Sequence, residues 1–134
     1  LNKTVFENVA FALEVIGKPR HVINEQVPFV LDLVGLADKG ERFPNQLSGG
    51  EQQRVAIARA FITQPAILFA DEPSANLDAT TGQKIEDLLF ALNEQQGTTL
   101  VLVTHSEDLA ARCQRQLKMQ AGRFIHSEEL ADVG

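Results

Sequence analysis

Residues 66–105 read AILFADEPSANLDATTGQKIEDLLFALNEQQGTTLVLVTH. The segment holds a short apolar run at 66–70, an amphipathic stretch from about 79 to 95, and a run rich in valine and threonine at 98–104. Short apolar runs are typical of buried strands, and the stretch between them repeats its apolar residues at helical spacing. The order strand, helix, strand predicts a parallel βαβ unit covered on both faces, and therefore an α/β fold.

The residues before this unit predict helices. Thr4 and Glu7 have the spacing of a capping box, and a helix is predicted from there to residue 16. A second helix is predicted over 20–34, where Pro28 should cause a kink or a restart. A third should begin at Ser48 and run to about residue 63. After the unit, we expect a short helix from Ser106 to about residue 112, then short strands near 115–119 and 123–126.

Composition is typical of a globular domain rather than a disordered or fibrous chain. The chain has 134 residues, 44% hydrophobic and 22% charged. Its longest apolar runs, 66–70 and 100–103, are far shorter than the roughly 18 residues of a transmembrane helix. Twelve basic and 18 acidic residues give a net charge of −6, which argues against nucleic acid as a partner. The single cysteine, Cys113, excludes an internal disulfide and is interpreted as a small buried hydrophobe.

Chemically active side chains follow both predicted strands. Asp71 and Glu72 end the first strand, and His105 ends the second. In open α/β sheets, ligands bind beyond the carboxyl ends of the strands, so these three residues should share one edge. A solvated turn with a helix-start histidine is the alternative, and the matching position of His105 weakens it.

This set of residues suits phosphoryl transfer to water. An aspartate at a strand end can hold Mg²⁺ through water, and a neighbouring glutamate can act as general base. His105 could donate a hydrogen bond to a terminal phosphate. Because successive side chains of a strand point to opposite faces, Asp71 and Glu72 should divide the work between them unless the strand has already ended.

A second candidate site is the start of the third helix, at Ser48, Gly49 and Gly50. Two glycines at a helix N-terminus leave backbone N–H groups open to an anion, and the helix dipole favours negative charge there. The tripeptide alone is also typical of a flexible turn. The whole string LSGGEQQRVAIARA, followed by LFADEP, is much more specific.

With these flanks, the sequence resembles the ATP-binding cassette (ABC) ATPases over essentially its whole length. Residues 47–52 resemble the signature motif, 67–72 resemble Walker B, and 74–78 resemble the D-loop. The resemblance implies ATP and Mg²⁺ as ligands and a head-to-tail dimer that sandwiches two nucleotides. It implies that Glu72 and His105 are catalytic and that Asp71 holds Mg²⁺ through water. Asp78 would belong to the D-loop. The residues that would contact the ATP of the opposite subunit are Ser48, Gly49, Gly50 and Gln52.

The resemblance also implies the domain organisation. Residues 1–63 would form the helical subdomain that contains the signature helix, and 64–134 the second half of a RecA-like core of a P-loop NTPase. Within the family the chain is similar to the group that contains the FtsE, LolD and MacB ATPases. Residues 3–10 and 43–46 favour FtsE, whereas 87–90 and 109–113 favour LolD. One departure is Ser74-Ala75, where this group usually has Thr-Gly.

The function implied is an ATP-hydrolysing subunit that works with an integral membrane subunit at the cytoplasmic face of the plasma (inner) membrane. In the family, the membrane subunit contacts the region that corresponds to Phe6, Asn8 and Phe11. Two alternatives stay open: a DNA-repair or chromosome ATPase and a ribosome-associated cassette. The 47 residues before Ser48 contain neither the heptads nor the Cys-x-x-Cys pairs common in the first alternative, and no charged linker marks the second.

A complete cassette also needs a P-loop, Gly-x-x-x-x-Gly-Lys-Ser/Thr. Only Gly17-Lys18 resembles its end; Ala12 stands at the first glycine position, and Pro19 replaces the hydroxyl residue. We reject this match. Since the sequence also starts with Leu1 rather than methionine, we expect it to be the C-terminal part of an ATPase. We expect these 134 residues alone to be inactive and to expose apolar surface.

Overall fold

A computed structural model describes residues 2–129, with side chains described for residues 2–124. Its elements, in chain order, are α1 (Val5–Val15), α2 (Arg20–Leu33), α3 (Gly49–Phe61), β1 (Ile67–Asp71), α4 (Ala79–Gln96), β2 (Thr99–Val103), α5 (Glu107–Ala111), β3 (Arg115–Gln120) and β4 (Arg123–Glu129). A 3₁₀ turn, Pro44–Gln46, lies between α2 and α3. Each element predicted from the sequence is confirmed. Leu1 and residues 130–134, assigned above to the two subdomains, lie outside the described residues.

The predicted capping box starts α1. The backbone N–H of Glu7 donates to the Thr4 hydroxyl at 3.2 Å, and the Glu7 carboxylate accepts from the Thr4 N–H at 2.8 Å. These two bonds satisfy donors that have no partner within the helix. The helix ends at Val15, and Gly17 follows the C-cap residue Ile16 with a φ of +82°, a conformation that glycine readily adopts after a helix.

Helix α2 runs unbroken through Pro28, so a restart at that residue is excluded. Val27 and Leu31 are both buried, one turn apart on the same face of the helix. Their burial on either side of Pro28 offsets the hydrogen bond that the proline ring cannot donate.

The core lies between the four longer helices and one face of the sheet. Helix α3 packs against α1, α2 and α4, so it stands at the centre of the molecule. Among the described residues, the core includes Val5, Val9, Leu13, Ile23, Val27, Leu31, Leu36, Ile57, Phe61, Ile85, Leu89 and Leu92.

Strands β1 and β2 are parallel, in register from Ile67 opposite Thr99 to Asp71 opposite Val103. Their side chains alternate between two different environments. One face, formed by Leu68, Ala70, Leu100 and Leu102, packs on the core. On the other, Phe69 is 74% exposed and Val103 57% exposed.

The predicted coverage of both faces is therefore wrong for the described residues, because the helices pack on one face only. The apolar surface expected from the sequence is confirmed on the other face. Among residues 2–129, no helix is both long and apolar enough to span a bilayer.

Strands β3 and β4 form an antiparallel hairpin. Ala121 and Gly122 turn the chain with φ values of +51° and +78°, which suits a tight two-residue hairpin turn. Before the hairpin, α5 is fixed to α4 by Arg112, which contacts Asp87 at 2.8 Å and stacks over the Phe90 ring. Cys113 is half-buried rather than fully buried, and burial raises the pKa of its thiol.

Candidate functional site

Strand β1 ends in a sharp turn at its two carboxylates. Asp71 is the last residue of the strand, and the backbone N–H of Glu72 still donates to the Val103 carbonyl at 2.8 Å. Glu72 then takes a φ of +46°, in the left-handed region that few residues other than glycine adopt. The Ala75 N–H donates back to the Glu72 carbonyl at 3.0 Å and closes the turn.

The Glu72 carboxylate joins the ends of the two parallel strands. Its Oε1 accepts a hydrogen bond from the backbone N–H of His105 at 2.7 Å, and its Oε2 lies 3.5 Å from the Thr104 hydroxyl. That hydroxyl in turn accepts from the Ser106 N–H at 3.0 Å. The structure thus brings Glu72 and His105 to one edge of the sheet, as predicted, and leaves the His105 side chain exposed.

Asp71 and Glu72 lie in different surroundings. Asp71 is exposed and belongs to the uncovered face of the sheet that also carries Phe69. Glu72 is half-buried and turned toward the end of β2. The two carboxylates therefore face different surroundings because Glu72 lies beyond the end of β1 with a positive φ, and their division of work stays a prediction.

The described residues contain no group of three or more histidine, cysteine, aspartate or glutamate side chains that could hold a metal ion directly. Asp71 is a single exposed carboxylate at a strand end. Such a group suits Mg²⁺, which keeps most of its waters and binds proteins through one or two carboxylates.

Ser48 begins α3 with a capping box that the sequence analysis did not identify. Its hydroxyl accepts from the Glu51 N–H at 3.1 Å, and its own N–H donates to the Glu51 carboxylate at 3.0 Å. This bond from the Ser48 N–H lowers the pKa of Glu51, and the nearby Lys39 lowers it further. The Ser48 hydroxyl proton is not used in the capping box, so it can still be donated to a ligand.

The other residues of this segment differ in exposure. Gly49 is exposed, whereas Gly50 is buried, and a Cβ added to Gly50 would collide with the Thr81 methyl group. The Gln52 side chain is exposed, and its amide donates to the Pro44 carbonyl at 2.9 Å. Gln52 therefore fastens the connector before α3 to the start of that helix.

The predicted D-loop residue Asp78 is exposed and caps α4 by accepting from the Thr81 N–H at 3.1 Å. Hydrogen bonds from the Thr81 side chain and backbone lower the pKa of Asp78. Within the same turn, Asn76 has a φ of +66° but Ala75 has no positive φ. The departure from Thr-Gly therefore creates no strain at Ala75, because the position does not require glycine.

Two contacts of this turn were missed by the sequence analysis. Gln53 on α3 donates from Nε2 to the Pro73 carbonyl at 2.9 Å, and the Ser74 hydroxyl donates to the Glu86 carboxylate at 2.7 Å. The partners are 20 and 12 residues apart along the chain. Helical spacing relates residues three or four apart, so no pattern in the sequence marks either pair.

Comparison with known proteins places this geometry among nucleotide-binding cassettes. The family model described as ABC transporter matches residues 1–75, more than half of the chain. The cell division ATP-binding protein FtsE of Mycobacterium tuberculosis is 52% identical over 133 residues, which are 98% of this chain and 57% of that protein. The lipoprotein-releasing system ATP-binding protein LolD of Bordetella pertussis is 50% identical over 121 residues, 90% of this chain and 52% of that protein.

Solved structures agree with these relatives. A dimeric ATP-binding cassette in a post-hydrolysis state with ADP and Pi bound has a TM-score of 0.80 and 38% identity, covering 95% of this chain and 56% of its own. CbiO1 of Clostridium perfringens, part of an ABC transporter complex, has a TM-score of 0.88 and 28% identity, covering 99% of this chain and 53% of its own. The chain spans about half the length of the relatives that it matches.

The contact of Gly50 with Thr81 gives a stability prediction. Replacing Gly50 with alanine should destabilise the intact gene product by about 1–3 kcal/mol, because the new methyl group meets a packed side chain. Gly49→Ala should cost less, since its Cβ would lie 3.5 Å from the nearest atom, an ordinary contact. Adding Thr81→Ser to Gly50→Ala should recover part of the loss. Urea unfolding measures all three, and equal midpoints for the two alanine variants would contradict this packing.

Proposed function

This chain belongs to the ABC transporter family, and from that membership we propose that its protein binds and hydrolyses ATP as a subunit of a membrane-associated complex. The observation that carries the proposal is the placement of Glu72. Its carboxylate is held at the end of β1 by the His105 N–H, beside the exposed Asp71. Relatives named for cell division and lipoprotein release support a membrane complex over the DNA-repair and ribosome alternatives.

In this proposal Glu72 is the general base. A carboxylate oriented by neighbouring donors can accept a proton from an attacking water while its position stays fixed. The exposed His105 side chain is free to donate a hydrogen bond to the terminal phosphate. Asp71 would hold Mg²⁺ through water, and the bound ion would neutralise charge on the phosphate oxygens.

We assign the start of α3 to the nucleotide held by a second copy of the protein. The N–H groups of Gly49 and Gly50 lie in the first helical turn, where no acceptor exists within the helix. Ser48 adds a hydroxyl donor, and Gln52 holds the segment in place through Pro44. The similar cassette that is dimeric with ADP and Pi bound supports a dimer. We propose that two copies of this protein pack head to tail in it.

We also propose that the chain divides into two subdomains at residues 63 and 64. Residues 2–63 contain only helices, turns and irregular segments, and the strands of the described chain all lie after residue 63. Helix α3 packs against both α1 and α4. It therefore links the proposed helical subdomain to the proposed half of a RecA-like core, with Asp78 and its D-loop at the junction.

We propose that the membrane subunit docks on α1 and that the protein lies at the cytoplasmic face of the plasma (inner) membrane. Of the three residues expected to contact the partner, Phe6 packs on the core and Asn8 donates to the Lys3 and Thr4 carbonyls. Phe11 is 42% exposed, and the nearby Val15 is also exposed. Lys3 Nζ lies 4.8 Å from the centre of the Phe11 ring, but Phe11 is still the residue of the three with exposed apolar surface for a partner.

The first test of the proposed reaction is Glu72→Gln. In the intact protein this change should lower ATP hydrolysis by roughly a hundredfold or more, because the amide cannot accept the proton of the attacking water. ATP affinity should stay close to the native value. Asp71→Asn should instead weaken Mg²⁺-dependent ATP binding. Phosphate release and nucleotide titration separate the two effects, and near-native turnover by Glu72→Gln would remove Glu72 from the mechanism.

The docking proposal is tested with Phe11→Glu. This change should leave ATP hydrolysis by the isolated subunit unchanged and should abolish its assembly with the membrane subunit, since a charge replaces an apolar contact. Phe29→Glu, at an aromatic side chain that is 61% exposed on α2, is the matched control and should assemble normally. Co-purification with the membrane fraction measures assembly. If Phe11→Glu unfolds the protein, Phe11 belongs to the core instead.

A further inference from the structure

We propose that Gln53 is a positioning residue for Glu72. Its side-chain amide fastens the turn that follows Glu72 to helix α3, and so sets the direction of the carboxylate. The inference rests on the proposed ATPase function, because it assigns a role in the hydrolytic step. Gln53 itself is placed in contact with neither ATP nor the attacking water.

The hydrogen bond from Gln53 is made to Pro73, the residue after Glu72. Gln53 Nε2 donates to the Pro73 carbonyl oxygen at 2.9 Å. Pro73 is buried and Gln53 half-buried, so this bond is partly shielded from competing water. A part-buried carbonyl that loses its donor leaves a polar group unsatisfied, which provides a reason for the turn to shift.

Glu72 needs such support because its backbone is strained. A non-glycine residue with a φ of +46° persists only where the surrounding structure enforces it. On one side of this residue, the strand ladder and the bond to the His105 N–H fix it to β2. On the other side, the bond from Gln53 fixes the next residue to α3.

Helix α3 is also the element that begins with Ser48 and Gly49. Gln53 lies five residues after Ser48, within the rigid part of the same helix. One carboxamide therefore connects the helix that would contact one nucleotide to the turn that would hydrolyse the other. A displacement of about 1 Å at a reacting group can cost up to a hundredfold in rate, so this connection affects turnover rather than binding.

Three variants of Gln53 test whether the N–H donor matters. Gln53→Met keeps the approximate shape and removes the donor, and Gln53→Glu offers only acceptor oxygens at neutral pH. Both should lower the kcat of ATP hydrolysis by the intact protein roughly ten- to a hundredfold and leave the KM for ATP close to native. Gln53→Lys restores a donor of sufficient length and should recover most of the kcat.

Gln95→Glu, at an exposed position on α4, is the control for the added charge and should match the native enzyme. If Gln53→Met does not fold, as judged by its melting temperature, the comparison of Gln53→Glu with Gln53→Lys decides the same question. Native kcat in Gln53→Glu, or equal losses in the glutamate and lysine variants, would overturn the role of the donor. If the native protein itself does not hydrolyse ATP, the proposed function fails first and is recognised separately.

Discussion

The hydrogen bond between the Glu72 carboxylate and the His105 backbone N–H is the interaction on which the site depends. It joins the ends of two parallel strands that are also connected by their ladder of backbone hydrogen bonds. Glu72 must leave the strand in a left-handed conformation to make it, and that geometry turns its side chain away from the face of Asp71. Two adjacent carboxylates can therefore perform two different tasks.

The same turn explains why the start of α3 and the end of β1 form one structural unit. Pro73 accepts from α3, and Ser74 donates to Glu86 on α4. Gly50 is packed against Thr81 near the start of α4. The Glu51 carboxylate, which completes the capping box at the start of α3, lies 3.6 Å from the Lys39 ammonium group. The positive charge of Lys39 therefore offsets part of the negative charge of Glu51. A phosphate approaching Gly49 would therefore meet a local field in which that carboxylate is partly offset.

Much of this fold could be predicted because its signals are local. The capping box at Thr4 and the strands and helix of the βαβ unit all depend on residues a few positions apart. The carboxyl-edge rule also placed Glu72 and His105 together without any knowledge of coordinates. The wrong prediction concerns packing, because alternation within a strand cannot show how many faces the helices cover. Of the two alternatives expected at Pro28, the structure excludes the restart, since α2 continues through that residue between the buried Val27 and Leu31.

The candidate site could be predicted in part because some of its signals are also local in the sequence. The residues proposed to contact the reacting groups come from contiguous motifs, whereas the bond from Gln53 to Pro73 joins positions 20 residues apart. Such supporting contacts follow from how α3 lies against the turn after β1, and tertiary packing alone determines that relation.

We propose that Glu72 of one copy and the Ser48–Gly49 helix start of another complete one ATP site. Mixed dimers of a Glu72→Gln protomer and a Gly49→Asp protomer, purified through two different tags, test it directly. If the site is shared between copies, one of the two sites in the mixed dimer keeps both native elements, and ATP hydrolysis should exceed that of either variant alone. Mixed dimers as inactive as the two parent variants would show that Glu72 and the helix start serve the same protomer, and that the site is not shared between copies.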